Sequence, residues 1–137
     1  MSKSLGPTVS GVYLAPDGLD ALRSAAAKAG LAWFDVNLAR TGDKREFLAA
    51  CAKSLRLPRS FGANWDALAD CLKDLVSDSV VNCRNCEIFA EVAPDDYATA
   101  LEIFLDAATF WEDRGSTFVV LVDAEPDGVS LAPFAVP

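Results

Sequence analysis

Short apolar runs that read as strands are separated along this chain by stretches that read as helices, and that alternation constrains the fold more than any other feature. Gly11 to Leu14 is a short β-type run. Asp17 or Asp20 can open a helix through Ala29, which Gly30 closes in the left-handed C-terminal position that glycine favours. Trp33, Phe34, Val36 and Leu38 make a second strand, after which Thr41 to Asp43 starts a helix carrying Phe47, Leu48, Cys51 and Leu55 on one side. Glu87 to Val92 reads as a third strand, Pro94 sits in the first turn of a long helix reaching Glu112, and Phe118 to Val122 is a nearly all-apolar fourth strand. Strands separated by helices favour a parallel sheet with right-handed crossovers, and the continuous apolar run of the last strand suggests an interior position. The expected class is α/β.

At 137 residues and 52% hydrophobic content, one well-packed domain is expected and disorder is not. Twenty acidic residues against twelve basic ones leave a net charge of −8, which disfavours direct contact with phosphate backbones and points to a basic protein as partner. Histidine is absent, which removes the commonest general base near neutral pH and weakens any hydrolase reading. The opening MSKSLGPTVSG lacks the apolar run of a secretory signal and no later segment has the roughly 18 apolar residues of a membrane span, so a cytoplasmic location is expected. Cys51, Cys71, Cys83 and Cys86 are too sparse for a disulfide scaffold and are expected as free thiols. Cys83 and Cys86 form a CxxC, but with no second pair, no histidine and a strand expected after it, neither a cofactor nor a metal is assigned. Residues 124–137, with three prolines and a glycine, read as an irregular tail.

Leu57 to Leu75, LPRSFGANWDALADCLKDL, holds the functional signal. Asn64 can accept a hydrogen bond from a first-turn N–H, and Pro58 and Gly62 punctuate the loop before it, so a helix begins at about Asn64. Trp65, Leu68, Leu72, Leu75 and Val76 then gather on one side, while Asp66, Asp70 and Asp74 follow one another at i, i+4 and i+8 on the other. Asp66 also suits the first turn as a partner of the helix dipole, whereas Asp70 and Asp74 have no capping role and are either a solvated face or a binding face. Trp65, Phe104 and Phe110 read as core, and Trp111 as partly exposed.

Taken together, Leu57-Pro58, Phe61-Gly62, Asn64-Trp65-Asp66-Ala67-Leu68 and Asp70-Cys71-Leu72 resemble the signature of the barstar family, intracellular inhibitors of secreted ribonucleases such as barnase. The similarity runs from about Trp33 to Asp123, in the family's order of elements. It implies a three-layer arrangement with a small parallel sheet of three to four strands, residues 31–123 as the barstar-like core and residues 1–30 as an added strand and helix. It implies no catalytic residue: Asp70 takes the role of the central carboxylate that enters the nuclease active site, and Asp66 that of a second acidic contact. Asn64 and Gly62 match the loop across the active-site mouth, and Asp106, aligned through Phe104, matches a third acidic contact. The implied partner is a secreted or toxin-type ribonuclease, bound by a monomer in a 1:1 complex, with an antitoxin or immunity role.

The departures shape the expected interface. Three positions that are aromatic in the classical inhibitor are here Ser60, Ala69 and Leu75, and Lys73 and Asp74 replace small uncharged residues at the rim. Lys73 lies about 60° around the helix from Asp70 and partly offsets the acidic face. A protein-binding module of the same fold that engages another basic protein without inhibiting it is the alternative. A third reading, an enzyme using Asp66 and Asp70 as a carboxylate pair with a divalent metal, ranks last because no histidine-bearing or glycine-rich loop accompanies them.

Overall fold

A computed structural model of the chain describes residues 10–75 and 78–134, so the apolar position expected at Val76 lies outside the described residues. In chain order the elements are β1 (Gly11–Leu14), α1 (Leu19–Lys28), β2 (Ala32–Asn37), α2 (Lys44–Ser54), α3 (Trp65–Leu72), β3 (Ser79–Arg84), α4 (Glu87–Val92), α5 (Pro94–Glu112) and β4 (Phe118–Val122). The four strands form one wholly parallel sheet in the order β1-β4-β3-β2. The chain crosses the full width of the sheet from β1 to β2, then steps back through β3 to β4. α1 covers one face, and the helices of the return steps cover the other. Reversing both direction and face keeps all three crossovers of one hand, as the right-handed rule requires. The result is the expected three-layer α/β arrangement.

Side-chain alternation divides the core in two. Val36, Val81, Cys83, Phe118, Val120 and Val122 face the layer of α2, α3, α4 and α5, where Phe47, Leu68, Leu72, Phe89, Tyr97 and Phe104 are buried. On the opposite face Val80, Val119 and Leu121 meet Leu22 and Ala26 of α1. All five residues of β4 are buried, because the strand is interior and covered on both sides, which is why it reads as an unbroken apolar run.

Two expectations are corrected. The segment Glu87–Val92, expected as the third strand, is the short helix α4, and the third strand is Ser79–Arg84 instead. The helix is held by a partner distant in sequence: the Asp123 carboxylate, just past β4, accepts from the backbone N–H of Asn85 and of Cys86, both at 2.8 Å. The CxxC therefore opens a helix rather than preceding a strand. The second correction concerns α1, which neither Asp17 nor Asp20 caps; its N-cap is Gly18, in the left-handed region at φ 77°.

The irregular tail packs against the sheet as far as Phe134. Leu14 N–H donates to Ala132 O and Phe134 N–H to Leu14 O, both at 2.9 Å, and the buried Phe134 ring meets Tyr13 edge-on at 5.3 Å.

Candidate functional site

The loop from Leu55 to Asn64 is tightly shaped before the helix begins. Arg56 (φ 54°) and Ala63 (φ 51°) both occupy the left-handed region, unusual for residues with a Cβ and a store of local strain. Phe61 N–H donates to Pro58 O at 2.9 Å, closing a turn. A Cβ at Gly62 would lie 3.2 Å from Asn64 Nδ2, a tight contact that would press on the cap. Asn64 caps α3 as expected, its Oδ1 accepting from Ala67 N–H at 2.7 Å.

α3 itself is eight residues long, too short to be stable alone, and is fixed from below. Leu68 and Leu72 are fully buried, and Trp65 packs against Phe47 with ring centroids 5.9 Å apart and Lys44 Nζ 5.4 Å from its ring. At the other end Trp111 of α5 donates from Nε1 to Leu72 O at 2.9 Å, supplying one of the partners that the last carbonyls of a helix lack. Trp111 thus sits partly exposed, as expected, but with a positioning role that sequence reasoning missed. The signal was present: Trp111 lies seven residues, nearly two turns, after the buried Phe104 and so shares its face.

Asp66 and Asp70 are exposed on α3, with Ala69 half-buried between them; Ser60, Gly62 and Asn64 are exposed on the loop. Among the described residues, neither carboxylate is ion-paired or hydrogen-bonded through its side chain. The acidic row is shorter than its spacing suggests, because α3 ends at Leu72 and Lys73 is the C-cap. Asp74 is exposed in the turn that follows, its N–H bonded to Cys71 O at 3.1 Å. It remains close enough to the helix that Asp74 and Asp70 both add to burial in raising the pKa of Cys71. Lys73 makes no ion pair with Asp70 among the described residues; its ammonium lies 5.6 Å from the ring of Phe110 on α5, which is half-buried rather than in the core as expected and is also covered by the Arg114 guanidinium at 3.6 Å. Asp106 is exposed on α5, the helix that packs against α3, with no hydrogen bond or ion pair to the other candidate residues.

The cysteines are free thiols. Burial raises the pKa of Cys51 and, with neighbouring negative groups, of Cys83; Cys86 is pushed up to about 12, chiefly by burial. Thiols held protonated in a core are poor nucleophiles and poor metal ligands. Among the described residues, no group of three or more Cys, Asp or Glu side chains is placed to hold a metal ion. No helix among them is long and apolar enough to cross a membrane.

A family model described as Barstar (barnase inhibitor) matches residues 31–123, about two thirds of the chain, from just before β2 to just past β4. No curated protein matches the sequence.

Proposed function

Since the chain belongs to the barstar family, a family of inhibitors rather than enzymes, we propose that it blocks a barnase-like ribonuclease by placing α3 and the loop before it over the enzyme's active site. The observation that carries this reading is a pair of exposed carboxylates, Asp66 and Asp70, unpaired within the chain on a short helix whose two ends are held by Asn64 and Trp111. A nuclease that cleaves RNA gathers cationic side chains around the scissile phosphate, so its empty site attracts negative charge. A carboxylate on a preorganised helix supplies that charge on a backbone the enzyme has no means of cleaving, and with little ordering cost on binding.

Asp70 is the central contact in this reading, with Asp66 beside it, Gly62, Asn64 and Ser60 on the loop, and Ala69, Lys73, Asp74 and Asp106 at the margin. The net charge of −8 favours fast association with a basic partner, at a rate that falls as salt screens the two fields. Titration calorimetry against barnase, with RNA cleavage followed in parallel, tests the proposal. Truncating one member of a buried charge pair costs about 2–5 kcal/mol, a range to which the barnase–barstar system itself contributes, so Asp70→Ala is expected to weaken binding by roughly 30- to 5,000-fold and to restore cleavage. Binding that leaves cleavage untouched would instead identify a non-inhibitory module engaging basic proteins.

A further inference from the structure

β1 lies at one end of the strand order, and the side of it that carries Val12 is covered by α5 and by the segment that follows β4. The cover is incomplete. A groove of about 250 Å³ runs between the two, lined by Val12 from the sheet, by Ala98, Leu101, Glu102 and Leu105 from α5, and by Val129 and Leu131 from the segment. Leu105 and Val129, one on each wall, are 51% and 48% exposed. At about 30 Å³ per liquid water the groove has room for roughly eight waters, or for a few apolar side chains. Exposed apolar surface with a polar rim marks a site of interaction.

Both walls are held in place before anything binds. Val129 N–H donates to Pro126 O at 3.1 Å, with Gly128 in the left-handed region at φ 72°, and Leu131 N–H donates to Glu125 Oε2 at 2.7 Å, which closes the segment into a compact loop. The other wall is α5, where Ala98, Leu101 and Leu105 follow one another at helical spacing. They lie along about 10 Å of the helix, roughly two turns, which is the length over which a second helix laid beside α5 would meet them.

The charge around the groove has one sign. From Pro94 to Glu112, α5 carries Asp95, Asp96, Glu102, Asp106 and Glu112 but no lysine or arginine, and Asp127 stands between Pro126 and Val129 on the opposite wall. Glu102, Asp106 and Asp127 are exposed and make no ion pair among the described residues. A second copy of this chain, itself at a net −8, is repelled by such a rim, and so is an anionic lipid surface. We propose that the groove docks a basic amphipathic helix of a partner protein, its apolar side chains against Leu101, Leu105 and Val129 and its lysines or arginines facing Glu102, Asp106 and Asp127. The site shares no residue with α3 or its loop, and Asp106 alone belongs to both this surface and the margin of the inhibitory one.

The test is an NMR titration of the full chain with a synthetic helical peptide of about 15 leucines and lysines, the leucines on one face. A scrambled peptide of the same composition and a twin with glutamate for every lysine serve as controls. Saturable shifts are expected at the Val12, Leu105 and Val129 amides, with binding that weakens as sodium chloride rises from about 50 to about 500 mM. Leu105→Ser, at an exposed position that should keep the fold, is expected to weaken binding roughly tenfold. Glu102→Gln is expected to weaken it about 1.5- to 5-fold, as for one exposed charge pair. Asp70→Ala should leave it unchanged, which separates this site from α3. Absence of a saturable shift, equal binding of the scrambled or the acidic peptide, or a loss in Asp70→Ala that matches the loss in Leu105→Ser would overturn the proposal.

Discussion

Replacing Trp111 by Phe isolates the contact by which α5 positions the acidic helix. The substitution keeps an aromatic ring that can stay edge-on to Phe110, 5.1 Å away in the native chain, and deletes the donor to Leu72 O. The lost hydrogen bond is worth about 0.5–1.5 kcal/mol. The smaller phenyl ring also buries less apolar surface, which at about 25 cal/mol per Å² adds on the order of 1 kcal/mol. The sum, roughly 1.5–2.5 kcal/mol, corresponds to a fall in Tm of about 5–12 °C for a chain of this size. The loss should also be local: the amides of Lys73 and Asp74, bonded at 3.1 Å to Asp70 O and Cys71 O, close the last turn of α3 and should exchange faster with solvent deuterium than the amides of β4. Thermal unfolding and amide exchange measure the two effects separately. An unchanged Tm together with unchanged protection at Lys73 and Asp74 would refute the idea that Trp111 holds α3 in place.

Asn64→Ala should cost about 1 kcal/mol in urea unfolding through loss of the 2.7 Å cap, while Asn64→Asp, whose carboxylate accepts the same bond and complements the helix dipole, should keep nearly all of the stability. Because the sequence has no histidine, stability should be nearly flat from pH 6 to 8. It should fall from about pH 9 toward pH 12: the Cys86 thiol keeps its proton in the fold up to about 12 but releases it near 9 when unfolded, so the native state binds more protons in that window and stability declines as pH rises. Cys86→Ala should flatten part of that decline in pH-dependent unfolding. A thiol reagent near neutral pH should modify Cys71 before the buried Cys51, Cys83 and Cys86.

Helix and strand periodicity made most of the architecture legible. α5 runs from Pro94 to Glu112, as proline at the first turn and the apolar pattern require, and β4 has the unbroken apolar run of a strand buried on both faces. What the sequence concealed was long-range. β3 carries a buried asparagine, a poor strand former, made tolerable by Asp35 on the adjacent strand, and no local pattern announces that pairing. The run IFAEV beyond it is short and apolar enough to read as a strand, but the Asp123 carboxylate from the far end of β4 takes up the free N–H groups that start a helix there. The cap at Asn64 was legible because it is local. The end of α3 was not, since it depends on a tryptophan 39 residues away.

The placement of β1 bears on how much of the chain must stay together. It pairs along its whole length with β4, and residues 132–134 in turn flank Leu14. A fragment trimmed to the residues that match the family model would lose β1 and α1, leaving Phe118–Val122, five apolar residues without a charge or a proline, as a bare sheet edge with an uncovered face. Such a strand is a template for pairing with another copy of itself. The first strand and helix therefore guard β4 against self-association, and a chain shortened to residues 31–123 is expected to associate with itself more readily than the full chain.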